Sequence, residues 1–259
     1  MPLNKRYIVY IEGLGSLFYK NTIMQSVLKF ALVNIKGKRI FCNLDERERL
    51  GQPSDYVSGG IGIDLNYFKN VDEYGGVTNK FRLLYVGRLI ADKGVLDAIQ
   101  ILRILLNRGL DVELTLVGEI YSNNPTSLSE SDINDLERDL SKSIRFAGYS
   151  DDVRGWYKKS DLLLLPSKRE GFPVCVMEAN AMGIPAICFS VPGCKDAITP
   201  GLNGFLIPAF DLIDYADTIE HVVKSNLLED LSSSSISYAN TNFDIHKKND
   251  SLIRIVNKM

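Results

Sequence analysis

FRLLYVGRLIADKGVLDAIQILRILLNRGLDVELTLVG, residues Phe81 to Gly118, decides the fold. Phe81 to Leu89 is mostly apolar and reads as a buried strand. Val95 to Arg108 carries its apolar residues at helical spacing, and Gly109 stops it. Val112 to Val117 is apolar again and predicts the next strand. Strand, helix and strand with near-continuous apolar strands mark a parallel sheet covered on both faces, hence an α/β fold. Such sheets take their ligands at the carboxyl ends of their strands, so the informative residues should follow strands.

The alternation continues downstream. A polar helix is expected over about Ser129 to Ser141, a short strand over Ile144 to Phe146 and a short helix over Asp151 to Lys159. Then come a strand at Leu162 to Pro166, a helix at Val174 to Met182 and a strand at Pro185 to Phe189. A Gly-rich, hairpin-like stretch ends at Gly204 to Ile207, and two or three helices close the chain. Upstream the pattern thins to a strand at Tyr7 to Ile11, a helix over about Thr22 to Ile35 and a strand at Arg39 to Cys42. That is too little to make a stable sheet by itself and reads as the tail of another domain. The Gly-rich run Val57 to Gly62 suits a hinge. The expected boundaries are 1–58, 59–242 and 243–259.

Composition narrows the function. The chain has 259 residues, 45% of them apolar, and a formal net charge of −2. This is ordinary for a globular protein with a real core, and it argues against a protein built around nucleic-acid backbone. No signal peptide or membrane-spanning run is expected. The cysteines Cys42, Cys175, Cys188 and Cys194 match no zinc or redox spacing, and their apolar surroundings suit reduced core thiols of a cytoplasmic protein. Two isolated histidines, His221 and His246, offer no metal site.

Three kinds of local pattern carry chemistry. The strand ending at Pro166 runs through Ser167 to Glu170, then Gly171, Phe172 and Pro173, and then a helix bearing Glu178. Pro173 suits a first helical turn, which would put Gly171 and Phe172 at a helix N-terminus that favours an anion. Phosphate would repel both carboxylates, so Glu170 and Glu178 suit hydroxyls. A sugar phosphate offers both kinds of group. In the loop after the first strand, Gly87 permits close approach, and Arg88 and Lys93 are two cations suited to a diphosphate. A solvated loop explains that pair alone equally well; beside Glu170 and Glu178 the ligand reading moves ahead. Gly118, and Gly148 with Tyr149, end further strands where a flat base could approach, and simple turns account for them as well.

Taken together these residues resemble glycosyltransferase family 4, retaining enzymes of the GT-B fold that use nucleotide sugars. The resemblance covers roughly residues 57 to 225. It rests on Gly87-Arg88 with Lys93-Gly94, on Leu116 to Glu119, on Asp161 to Pro173, on Glu178, on Gly193 to Ile198 with Asp196 where the family usually has glutamate, and on Asn203-Gly204. It implies two Rossmann-like domains: a complete C-terminal donor domain here, and a remnant of an N-terminal acceptor domain. The last helix would cross back toward that remnant.

The resemblance further implies Glu170, Arg88 and Lys93 as catalytic residues, with Glu170 against the donor sugar and Glu178 on the ribose hydroxyls. Gly87, Gly118, Tyr149, Gly171, Phe172 and Pro173 would complete the donor site. Ile11 to Phe18, with Gly13 and Gly15, resembles a loop of bacterial surface-polysaccharide transferases, including those of lipopolysaccharide synthesis; other members carry histidine near Glu12. The implied partners are a nucleotide-diphosphate sugar and a glycan or lipid-linked acceptor, with no cofactor and no metal. Peripheral contact with the inner membrane is compatible with them. The alternative is a nucleotide-sugar-binding module that does not transfer.

Overall fold

The protein is described from a computed structural model, which covers residues 7–14, 21–69, 80–140 and 142–258. The sequence folds into two parallel sheets. The smaller has strands β1 (Tyr7–Ile11), β2 (Gly37–Phe41) and β3 (Tyr56–Val57), in the order β1-β2-β3. Helix α1 (Thr22–Asn34) joins the first two strands, and α2 (Leu44–Leu50) joins the second pair. Neither α2 nor β3 was expected, and Val57, read as hinge, belongs to β3. The signal for α2 was present: Asn43 stands three residues before Glu46, a helix-start pattern.

The larger sheet contains β4 (Phe81–Val86), β5 (Val112–Val117), β6 (Ile144–Gly148), β7 (Leu162–Leu165), β8 (Ala186–Phe189) and β9 (Gly204–Ile207). Their order is β6-β5-β4-β7-β8-β9, and every neighbouring pair is parallel. That is the doubly wound order of dinucleotide-binding folds, with its switch point between β4 and β7. Between the strands lie α3 (Val95–Asn107), α4 (Glu130–Asp139), α5 (Arg154–Tyr157), α6 (Val174–Ala181) and α7 (Cys194–Ala197); α8 (Leu212–Lys224), α9 (Leu228–Asn242) and α10 (Ile245–Asn257) follow. The run expected as hairpin-like is β9, parallel to β8. The α7 connection carries the chain back before it pairs, which a reading of local turn residues could not anticipate.

The core sits in the larger sheet. All four leucines of β7 are buried, because helices cover both faces. Each contributes roughly 1.5–3 kcal/mol through removal from water. Helix α3 buries Val95, Ala98, Ile99, Ile101, Leu102 and Leu105, the stripe its spacing predicts. A second cluster of Ile63, Met177, Ala181, Ala239 and Phe243 forms where the segment after β3 joins α6 and α9. There the amide of Ile63 donates to the Phe243 carbonyl at 2.8 Å, and that of Ile245 donates to Ile63 at 3.0 Å. Lys248 on α10 donates to the carbonyls of Ser58 (2.6 Å) and Gly59 (2.8 Å), which ties α10 to the smaller sheet.

Candidate active site

The switch point brings together the loops after β4 and β7. Gly94 adopts a φ of +78°, and a Cβ there would lie 1.9 Å from the Pro166 carbonyl oxygen, so the loops meet as only glycine permits. Two hydrogen bonds stitch them: the Lys168 amide to the Asp92 carbonyl (3.0 Å) and the Ser167 hydroxyl to the same oxygen (3.2 Å). The result is an ion pair between two residues read from separate motifs. The Lys93 ammonium donates to both carboxylate oxygens of Glu170, at 2.8 and 2.7 Å. Their side chains are 27% and 10% exposed, so the pair is partly shielded yet open to a ligand.

Arg88 lies on the β5 side of this pair. Tyr85, buried in β4, donates its hydroxyl to the Arg88 carbonyl at 2.8 Å and fixes the backbone there. The exposed Arg88 guanidinium stacks 5.2 Å from the Tyr121 ring centroid. Gly87 donates to the Val117 carbonyl at 3.0 Å, which ends β4 before Leu89.

Across the cleft, Glu170 donates its amide to the Pro192 carbonyl (3.3 Å), placing the Gly193 loop against the corner. Gly171 packs on the smaller sheet: a Cβ there would lie 2.2 Å from the Glu12 carbonyl oxygen, and Gly13 is its next neighbour. Helix α6 begins at Val174, as expected, but Pro173 is its cap and not a residue of its first turn. Its leading amides are therefore those of Val174 and Cys175, rather than those of Gly171 and Phe172. The Phe172 ring packs edge-on to Phe243, with centroids 6.0 Å apart, in the second cluster.

Glu178 lies one turn into α6. Tyr157, fully buried, donates to it at 2.9 Å and pins the carboxylate. Burial pushes Glu178 above the usual carboxylate value, and the tyrosine hydrogen bond offsets part of that rise. Tyr157 was not read from the sequence, since a buried tyrosine carries no local mark of its partner.

The other expected residues lie farther out. Gly118 ends β5, and its amide donates to the Gly148 carbonyl at 2.8 Å. Tyr149 is 67% exposed after β6, two strands from β4 and so roughly 10 Å to the side. Gly13 faces Gly171, whereas Gly15 lies outside the described residues. Asp196 accepts the Leu44 amide at 3.1 Å, so it joins the two sheets. Asn203 is buried and bonds Asn180 (2.7 Å) and the Ala197 carbonyl (2.9 Å), a structural turn. Sequence reasoning also missed Asn43 and Glu46, both fully buried beside the cleft. No helix among the described residues is long and apolar enough to cross a membrane.

Comparison with known proteins gives the family and the fold. The family model for glycosyl transferases group 1 matches residues 80–225, more than half of the chain and all of the larger sheet. A capsular polysaccharide biosynthesis glycosyltransferase of Staphylococcus aureus, CapM, is 26% identical over 83% of this chain. The UDP-Gal:alpha-D-GlcNAc-diphosphoundecaprenol alpha-1,3-galactosyltransferase of Escherichia coli is 25% identical over 74% of it. The chain spans 59% and 51% of the lengths of these two relatives. Among solved structures, Anabaena HepE in complex with UDP superposes with a TM-score of 0.83 at 18% identity, over 98% of this chain and 73% of that one. At that identity the likeness shows the fold, which is GT-B.

Proposed function

The chain belongs to the glycosyl transferases group 1 family, and on that premise we propose that it transfers a sugar, with retention, from a nucleoside-diphosphate sugar to a glycan or lipid-linked acceptor. The process served is bacterial surface polysaccharide synthesis, lipopolysaccharide included. The observation that carries the reading is the Lys93–Glu170 pair at the switch point. A cation and a carboxylate meet where a doubly wound sheet takes its ligand. A sugar diphosphate offers phosphate to the first and hydroxyls to the second.

Each group then has a task. The Lys93 ammonium has three donors; two contacts go to Glu170, and a third proton is left for a phosphate oxygen. Arg88 adds a planar fork for the same diphosphate. The leading amides of α6 supply partial positive charge. As the glycosidic bond breaks, negative charge collects on the leaving diphosphate, and these donors already stand in place to stabilise it without a metal. Glu170 holds Lys93 and accepts from a sugar hydroxyl. Glu178, with one oxygen taken by Tyr157, presents the other to the ribose. A lipid-linked acceptor would bring the protein to the cytoplasmic face of the inner membrane.

The names of the relatives support this reading: HepE is seen with UDP, and the Escherichia coli protein acts on a diphosphoundecaprenol substrate. Calorimetric titration with UDP, GDP and ADP, followed by hydrolysis assays with the matching nucleotide sugars, tests it. Binding with turnover is the expected result. Binding without turnover would make the chain a nucleotide-sugar-binding module, and no binding by folded protein would sink both readings.

A further inference from the structure

We propose that Asn43 and Glu46 are positioning residues, a bracket that holds the Glu170–Gly171 corner against the Gly13–Leu14 loop; the inference rests on the transferase reading. Both side chains are buried, and both come from the short segment that starts α2. The Asn43 carboxamide uses its two ends differently. Its oxygen caps α2 by accepting from the Glu46 amide at 2.9 Å. Its nitrogen donates to the Gly171 carbonyl at 2.7 Å, a contact that spans 128 residues. A helix cap needs only the oxygen.

Glu46 departs from the cap pattern in the same direction. In a capping box its carboxylate would turn back to the cap residue's amide. Here one oxygen instead accepts the Leu14 amide at 2.8 Å, and the other faces the Cys42 thiol, which donates at 3.4 Å. Burial penalises this charge and pushes the carboxyl above its usual value, while the Leu14 amide and the positive charge of Arg169 pull it back. A side chain that only finished a helix would stay in water. Next to Asn43, the Leu44 amide donates to Asp196 at 3.1 Å. Three residues within one turn of chain, Asn43, Leu44 and Glu46, thus reach three places: the loop after β1, the corner after β7 and α7 after β8.

The consequence follows from what each contact touches. Glu170 is joined directly to the residue whose carbonyl Asn43 holds, so the bracket sets where the Glu170 carboxylate sits. Arg88 and Lys93 lie on the β4 loop, which the bracket does not contact. Loosening it therefore misplaces the corner at the reacting centre and leaves nucleotide binding largely intact.

Asn43→Asp separates this role from capping, since it keeps the capping oxygen and removes the donor to Gly171. With UDP-glucose as the probe, kcat for hydrolysis should fall tenfold or more while KM and the UDP Kd move less than threefold. Glu46→Gln, which still accepts from Leu14, should stay near wild type, and Glu46→Ala should behave as Asn43→Asp does. Amide hydrogen exchange supplies a readout that needs no activity. In Glu46→Ala exchange at Leu14, and in both variants exchange over residues 170–173, should rise at least tenfold, with β4 and β7 unchanged. Unchanged exchange and kcat would overturn the bracket. So would a uniform rise in exchange with parallel loss of UDP affinity, which would mark these residues as merely structural. If wild-type protein binds no nucleotide, the transferase reading fails, and the exchange arm still decides the bracket.

Discussion

The two sheets face water in different ways. In the larger, helices cover both faces, and the strand leucines and valines are nearly all buried. In the smaller, β1 is an edge strand among the described residues, and α1 turns Ile23, Val27 and Phe30 outward at 74%, 64% and 74% exposure. Among the described residues the smaller sheet packs a small cluster of Leu14, Leu32, Phe41 and Leu50. The larger sheet thus carries the stability and the charged groups of the site. The smaller one contributes a few side chains that reach across, and its value to the site lies in where it puts Asn43 and Glu46 rather than in the energy it stores.

Core truncation should separate the two regions most widely. Leu163→Ala, in the middle of β7, should cost about 2–5 kcal/mol in urea unfolding, because the cavity cannot collapse between two covered faces. Lys93→Ala comes next: it should lower turnover by about 10²–10³, equivalent to about 2.7–4 kcal/mol of transition-state stabilisation, without comparable loss of fold. Gly94→Ala should follow, destabilising by roughly 1–3 kcal/mol, since it combines a positive φ with a clash against the Pro166 carbonyl. Normal stability in that variant would mean the two loops are not seated as described.

A pH effect should be smaller. Because Glu178 sits above its ordinary value near 4.5, the folded state favours its protonated form. Its contribution to stability is full below about pH 4.5 and is lost as pH rises through the folded value. Glu178→Gln should flatten that stretch of the melting-temperature profile; an unchanged profile would contradict the burial of its charge. The smallest effect belongs to the smaller sheet. Phe30→Ser should change stability by no more than about 0.5 kcal/mol. A cost like that of Leu163→Ala would break the comparison, because it would mean α1 is covered.

The same contrast explains what the sequence disclosed. In the larger sheet, strand and helix are written in local periodicity, and Gly109 and Gly183 mark the ends of their helices. Lys93 and Glu170 each stand in a loop that follows a strand, so they could be named one at a time. That they form one ion pair could not be read, because the pairing depends on β4 and β7 being neighbours despite the two strands between them in sequence. Asn43 and Glu46 were missed for a related reason. Locally they spell a helix start, and their distinctive bonds go to Gly171 and Leu14, which no spacing rule connects. The short β3 and the parallel β9 were lost because a two-residue strand has no period and a Gly-rich approach resembles a turn.

The most direct test of the central claim, that the switch-point cations hold a diphosphate, is calorimetric titration of UDP and of uridine into wild type, Arg88→Ala and Lys93→Ala. UDP affinity should be at least tenfold weaker in both variants, more so in Lys93→Ala because the shielded Glu170 is left facing the phosphates, with uridine binding unchanged. Equal UDP affinity in all three proteins would contradict the claim.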